Sequence, residues 1–189
     1  MIEAELKARV RAPELVMRRL EEFGAGRPEV YQDTYYDSPS GGLTGLGQEL
    51  RVRVVHGADG TRSLLTFKGG EVDAASGSKS EHETIVDNPD AVNAMLRGLG
   101  YSPVIAFEKR CRNYDFTAYG RQMLGTLVRV PEIDGTFLEV ETLIGEDEGG
   151  ELQSALADVR AVLRDLGIED EDLTQERYTD AVAARREGA

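Results

Sequence analysis

Charged side chains at alternate positions restrict the fold of this sequence more than any other feature. Residues two apart lie on the same face of a β-strand, so each such segment predicts a strand with one charged face. In the first segment the charged residues alternate with Ile2, Ala4 and Leu6. The charged sets are Glu3, Glu5 and Lys7; Arg51 and Arg53; Lys79, Glu81 and Glu83; Arg110 and Arg112; and Glu139 and Glu141.

These charged faces have two interpretations. One face of an antiparallel sheet is commonly solvated, and for any strand taken alone this is the better interpretation. However, the positions are nearly all Glu, Arg or Lys, and several neighbouring pairs carry the same sign. Like charges side by side repel unless an opposite charge lies between them. The set as a whole therefore favours a shared interior in which bound ions of opposite sign separate the like charges. Closure of the sheet into a barrel would produce such an interior.

Eight alternating segments separated by short glycine-rich loops predict the strands. Such punctuation is typical of a β-barrel or β-sandwich with hairpin connections. The strands are predicted at 2–11, 30–36, 49–55, 63–68, 80–86, 105–117, 122–130 and 136–143. Apolar stripes and capping residues predict helices at 12–23, 88–99, 151–166 and 172–186. The predicted class is α+β, an eight-stranded antiparallel barrel in a single domain over 1–189, with the C-terminal helices at about 151–186 packed on it.

Composition excludes several classes of protein. The formal net charge of -13 disfavours binding to nucleic acid, whose affinity for proteins comes mainly from Lys and Arg. No apolar run approaches the roughly 20 residues of a membrane-spanning helix, and the N-terminus lacks the pattern of a signal peptide. The single cysteine, Cys111, excludes an internal disulfide and indicates a reducing compartment. We therefore expect a cytoplasmic protein.

The interior charges suit metal and phosphate chemistry. Mg²⁺ and Mn²⁺ prefer carboxylate oxygens, and Mg²⁺ is commonly shared between one or two carboxylates and the phosphates of a substrate. Arg and Lys then hold the phosphates, Arg through two parallel hydrogen bonds.

Eight segments, in order, resemble the CYTH family, also called triphosphate tunnel metalloenzymes, and within it the class IV adenylyl cyclase branch. Residues 3–7 match its Glu-x-Glu-x-Lys signature, and residues 137–141 match its Phe-Leu-Glu-x-Glu strand. The segments are 2–7, 32–37, 50–53, 65–69, 78–84, 107–112, 137–141 and 177–180. The resemblance implies an eight-stranded antiparallel tunnel, Mg²⁺ or Mn²⁺, and a substrate that is a nucleoside or organic triphosphate or an inorganic polyphosphate.

The resemblance also implies roles for individual residues. Glu3, Glu5, Glu139 and Glu141 would bind the metal, with Glu81 and Glu83 as supporting acidic residues. Lys7, Arg51, Arg53, Lys68, Lys109, Arg110 and Arg112 would bind phosphate. Lys7, Arg51, Arg53 and Tyr178 would contribute to catalysis. Lys109 and Arg110 cannot both point inward from a regular strand, so this register stays open.

The reaction also stays open at this point. Class IV adenylyl cyclase activity, which converts ATP to cyclic AMP and pyrophosphate, is the first hypothesis. Hydrolysis of thiamine triphosphate or tripolyphosphate is the second, and triphosphate binding without catalysis is the third. Val128 stands about where the family has a metal-side Asp, which slightly favours the third. An interaction module built on the C-terminal helices is a weaker alternative, and the protein could be a monomer or a homodimer.

Overall fold

The computed structural model describes residues 1–73, 76–145 and 150–188, and its eight strands close into an antiparallel barrel. The order around the barrel is β1-β5-β4-β3-β2-β6-β7-β8. The strands are β1 (Ile2–Arg9), β2 (Arg27–Asp37), β3 (Glu49–Gly57), β4 (Gly60–Asp73), β5 (Ser78–Val86), β6 (Ser102–Ala118), β7 (Arg121–Arg129) and β8 (Phe137–Ile144). The α+β class and the antiparallel barrel predicted from the sequence are confirmed.

The helices lie in the connections between strands and at the C-terminus. They are α1 (Pro13–Phe23), α2 (Gly42–Gly45), α3 (Pro89–Gly98), α4 (Leu152–Asp165) and α5 (Tyr178–Glu187). The predicted boundaries of α1, α3 and α4 hold to within a residue, and in α3 a local capping residue explains this. Asn88 caps α3 by accepting a hydrogen bond from the backbone N–H of Ala91 at 3.0 Å. Among the described residues, no helix is both long and apolar enough to cross a membrane.

The last helix begins later than predicted. Instead of a helix from 172, a short 3₁₀ turn at Asp170–Asp172 is followed by an extended segment, and α5 begins at Tyr178. The extended segment pairs with β1: Leu173 bridges to Ala8, and the backbone N–H of Thr174 donates to the carbonyl of Lys7 at 2.9 Å. Pairing with a strand satisfies these backbone groups without a helix, so the tertiary contact overrides the local pattern.

The two faces of β1 show how the fold positions its charges. Ala4, Leu6 and Ala8 are buried in a cluster that also contains the apolar stripes of α1 and α4, including Leu20 and Val159. The alternate residues of β1 must therefore point into the barrel. The outer helices thus bury the apolar face of the sheet and leave the charged face for the interior.

A second apolar cluster lies at the inner side of the barrel next to α5. Tyr31, Tyr35 and Phe107 contribute from β2 and β6, and Tyr178 contributes from the first turn of α5. Cys111, also in this cluster, is buried, as expected for a small apolar side chain. Part of the interior is therefore filled by aromatic side chains, and the charged residues line the remainder.

Candidate functional site

The barrel encloses an open cavity of about 580 Å³ whose wall is densely charged. All the site residues predicted from the sequence line this cavity except Arg110 and Arg112. Those that line it are Glu3, Glu5, Lys7, Arg51, Arg53, Lys68, Glu81, Glu83, Lys109, Glu139, Glu141 and Tyr178. The cavity is thus formed by inner faces of several strands and by the start of α5.

Three carboxylates converge on one side of this cavity. Oxygens of Glu3, Glu5 and Glu141 all lie within 4.8 Å of one another. Glu5 of β1 stands directly opposite Glu141 of β8 in the antiparallel register, which places the like charges side by side. Burial, the negative charge of Glu3 and that of Glu139 raise the pKa of Glu5 to about 7. Burial and the carboxylates of Glu3 and Glu5 raise the pKa of Glu141 well above its usual value.

The chemistry of this cluster fits a divalent cation. A concentration of negative charge that raises carboxyl pKa values is relieved either by protons or by a metal ion. Mg²⁺ and Mn²⁺ favour oxygen donors of this type. Glu3, Glu5 and Glu141 are therefore the residues best placed to hold such an ion.

Lys68 lies at the edge of the carboxylate cluster. Its ammonium group contacts the carboxylate of Glu3, lies 3.0 Å from that of Glu81 and 4.0 Å from that of Glu5. Burial alone would lower the pKa of Lys68, but Glu3, Glu5 and Glu81 outweigh it and raise that pKa. Lys68 therefore stays charged and partly neutralises the acidic side of the cavity.

Glu139 marks the boundary between the acidic and the basic side. It stands opposite Lys7 in the β1–β8 register. Burial disfavours its ionised form, but the ammonium groups of Lys109 and Lys7 outweigh this and lower the pKa of the Glu139 carboxyl. Glu139 is therefore ionised at neutral pH.

The basic side is organised around Tyr178. The ammonium groups of Lys7 and Lys109 lie over its ring, 4.5 Å and 4.3 Å from the ring centroid, a favourable arrangement for cations. The edge-on ring of Phe137 supports Tyr178 at 5.3 Å between centroids. Burial and the charge of Glu139 raise the pKa of the Tyr178 hydroxyl, so it keeps its proton at neutral pH. Tyr178 thus holds two cations at the wall.

The structure resolves the register of β6 and corrects one prediction. The Lys109 side chain is 7% exposed and faces the cavity, whereas the Arg110 side chain is 68% exposed and pairs with Glu108. Arg112 pairs with Glu21 of α1. Arg110 and Arg112 therefore lie on the outside of the barrel, where they cannot bind phosphate in the tunnel. Phe107, Lys109 and Cys111 lie on the same face of β6. Because Phe107 and Cys111 are buried in the interior cluster, Lys109 also points inward.

One residue of the wall, Asp33, was given no role by the sequence analysis. Asp33 of β2 has a completely buried side chain and receives two hydrogen bonds from Arg53, at 2.7 Å and 2.8 Å. Lys79 of β5, which the sequence placed on the charged face of its strand, stands opposite Glu3 of β1 and binds Glu49 of β3 at 2.7 Å. The sequence pattern that could have indicated Asp33 is its position between Tyr31 and Tyr35, two aromatic residues on the same face of the predicted strand.

The strand β7, described in full, contributes no carboxylate to the cavity. Its inward positions are Leu124, Thr126 and Val128, and Val128 is packed in the aromatic cluster. Asp134 lies in the turn before β8, as predicted. The acidic side is therefore built from β1, β5 and β8, with Glu49 of β3 at its margin.

A closed eight-stranded antiparallel barrel with a charged interior is the triphosphate tunnel fold. A family model described as the CYTH domain matches residues 1–178. The chain belongs to the CYTH domain family.

Relatives with similar sequences and structures cover nearly the whole chain. A protein of Methanocaldococcus jannaschii, provisionally named an adenylate cyclase, is 22% identical over 180 residues, which are 94% of this chain and 97% of that protein. A solved structure from Pyrococcus horikoshii has a TM-score of 0.81 at 25% identity and covers 97% of this chain and 99% of that one. A solved structure from Hippeastrum has a TM-score of 0.64 at 17% identity, and the match covers 97% of this chain and 95% of that one. That protein is named provisionally as an adenylyl cyclase and described as having a dominant triphosphatase activity.

Proposed function

We propose that this protein is a divalent-metal-dependent enzyme that converts ATP to cyclic AMP and pyrophosphate within the tunnel. The observation that carries the proposal is the division of one cavity into a carboxylate side and a cationic side. A metal-bound triphosphate presents cation and anion together, and so matches both sides at once.

Metal binding is assigned to the carboxylate cluster of Glu3, Glu5 and Glu141, with Glu139 beside it. Mg²⁺ or Mn²⁺ bound there would neutralise phosphate charge and polarise an attacking oxygen. Glu81 and Glu83 add to the negative charge of this side, and Glu81 also restrains Lys68. All of these are carboxylates that the barrel brings together from separate strands.

Phosphate binding is assigned to Lys7, Arg51, Arg53 and Lys109, with Lys68 at the boundary of the two sides. In the cyclase reaction the ribose 3′-hydroxyl attacks the α-phosphorus, and the bond to pyrophosphate breaks. The cationic groups would stabilise the negative charge that develops on the departing pyrophosphate. Val55 and Leu64, which also line the cavity, offer apolar contact for the nucleoside.

Triphosphatase activity is the second candidate, and the description of the Hippeastrum protein favours it. In this reaction a water molecule attacks the terminal phosphorus, so the enzyme needs the same metal and cationic groups but no positioned ribose. The two reactions can share one wall, since the fold does not select between them.

One experiment separates the candidates. The protein is incubated with ATP, thiamine triphosphate or tripolyphosphate, each with Mg²⁺ or Mn²⁺, and the products are separated by chromatography. Cyclic AMP with pyrophosphate supports the cyclase, and free phosphate supports the triphosphatase. Metal-dependent thermal stabilisation by triphosphates without turnover would contradict both and identify a binding protein.

Metal affinity should depend on pH in a direction set by Glu5. Because the pKa of this carboxyl is raised to about 7, a proton competes with the metal below that pH. We expect Mn²⁺ affinity to rise with pH and level off above the pKa, with a slope of about tenfold per pH unit below it for each displaced proton. Calorimetric titration of Mn²⁺ in buffers of increasing pH measures this. Affinity that is flat across neutral pH would contradict the placement of Glu5 at the metal.

A further inference from the structure

Asp33 lies behind the basic wall of the cavity. Its side chain is 0% exposed, while its neighbours Arg51, Arg53 and Lys109 line the cavity itself. An aspartate buried this completely is rare unless it is paired, because removing a charge from water is costly. The cations that it pairs with are the groups assigned to phosphate binding.

The contact with Arg53 fixes the orientation of that guanidinium. Nε and Nη2 of Arg53 donate to the two carboxylate oxygens of Asp33, at 2.7 Å and 2.8 Å. The plane of the guanidinium is further held over the ring of Tyr31, at 4.2 Å from the centroid. Arg has five N–H donors, so this contact uses one edge of the guanidinium. Among the described residues nothing accepts from its Nη1 donors, which are available to another anion.

The same carboxylate also holds the other two cations together. Arg51 Nη1 and Lys109 Nζ each lie 3.9 Å from Asp33 Oδ2. Three like charges at such separations repel one another, and a carboxylate between them reduces that repulsion. Burial opposes ionisation of Asp33, but Arg53 and Arg51 outweigh it and lower the pKa of the carboxyl. The group is therefore a permanent anion that leaves a surplus of positive charge facing the cavity.

We propose that Asp33 is a positioning residue that presets Arg51, Arg53 and Lys109 at the spacing a triphosphate requires. This inference rests on the proposed function, because it takes the three cations to be the phosphate-binding groups. Asp33 acts through them and does not itself touch the ligand. Preset donors bind a ligand more tightly because less side-chain freedom is lost on binding.

The test is calorimetric binding of tripolyphosphate and pyrophosphate in the presence of Mg²⁺ to the wild type and to Asp33→Asn. Asn keeps the size of the side chain, but it removes the charge and turns one oxygen into a donor that opposes Arg53. We expect tripolyphosphate to bind about tenfold more weakly or worse, as for loss of a charge-assisted contact. We also expect the preference for tripolyphosphate over pyrophosphate to shrink, a change that a purely structural role would not produce.

A double-mutant cycle tests whether Asp33 acts through Arg53. Asp33→Asn should have a smaller effect in an Arg53→Gln background than in the wild type, because the contact with Arg53 is already lost while those with Arg51 and Lys109 remain. Asp158→Asn is the matched control, since it removes an aspartate that pairs with Arg121 at 2.8 Å on the outer helix α4. That control should leave both affinities unchanged.

Several results would overturn the inference. Unchanged or tighter tripolyphosphate binding in Asp33→Asn would show that the carboxylate only opposes the anion. Additive effects in the cycle would show that Asp33 does not act through Arg53, which would remove the best-oriented contact from the proposal. If Asp33→Asn does not fold, Arg53→Lys serves as the second variant, because Lys keeps the charge but cannot donate to both carboxylate oxygens of Asp33 in the same way. Wild-type tripolyphosphate affinity in Arg53→Lys would also refute the proposal. If tripolyphosphate binding weakens in Asp33→Asn but the wild type turns over no substrate, the enzyme assignment is refuted and this inference is supported.

Discussion

The Glu5→Gln variant is expected to lose most metal affinity and activity while unfolding at a higher temperature than the wild type around pH 8. Glutamine keeps the shape of the side chain but supplies no negative charge to a cation. Removal of a supporting metal-site group typically lowers affinity about 10- to 100-fold, and loss of a direct ligand should reach at least the upper value.

The gain in stability follows from the raised pKa of Glu5. A carboxyl whose pKa is higher in the folded state stabilises the fold below its unfolded value of 4.5, and this contribution is lost as the pH rises through about 7. Above that pH, Glu5 is ionised among like charges, and their repulsion destabilises the metal-free folded state. Gln removes this repulsion, while Lys68 keeps its contacts with Glu3 and Glu81.

Mn²⁺ titration and thermal unfolding in a chelator measure the two effects on the same preparation. Glu108→Gln is the control, because Glu108 lies outside the barrel and pairs with Arg110. It should change neither metal affinity nor activity. Wild-type Mn²⁺ affinity in Glu5→Gln would remove Glu5 from the metal site, and a lower unfolding temperature would contradict the repulsion argument.

Replacing Lys109 should weaken triphosphate binding, whereas replacing the adjacent Arg110 should leave it nearly unchanged. Lys109→Met should weaken triphosphate binding roughly 10- to 100-fold, the range for a buried charge-assisted contact. It would remove one of the two cations on the Tyr178 ring and one of the three around Asp33. Arg110→Met should leave affinity within about twofold, because exposed ion pairs contribute little.

Calorimetric titration with tripolyphosphate compares the two variants directly, and unfolding temperatures show whether each remains folded. Equal losses of affinity in both would contradict the register of β6 described here. Unchanged affinity in Lys109→Met would place the phosphates elsewhere in the cavity.

Much of the architecture could be predicted because it follows from local sequence patterns, above all the alternation of charged and apolar residues along the strands. Alternation on β1 and β8 placed Glu3, Glu5, Glu139 and Glu141 on one face and apolar residues on the other, and these are the faces observed. Such alternation is reliable when one face is uniformly apolar. In β6 both faces carry mixed residues near Lys109 and Arg110, so the alternation did not choose between them.

The sequence by itself determined the eight strands, helices α1, α3 and α4, and the charged residues that β1 and β8 contribute to the interior, since these depend on residues close to one another along the chain. Only the tertiary structure decided that Lys109 faces inward, that Lys68 lies among carboxylates and that α5 begins at Tyr178. It also revealed Asp33 as the shared partner of three cations from two strands. Each of these depends on which strands become neighbours when the barrel closes, because burial and charge pairing act across space between residues that lie far apart in the chain.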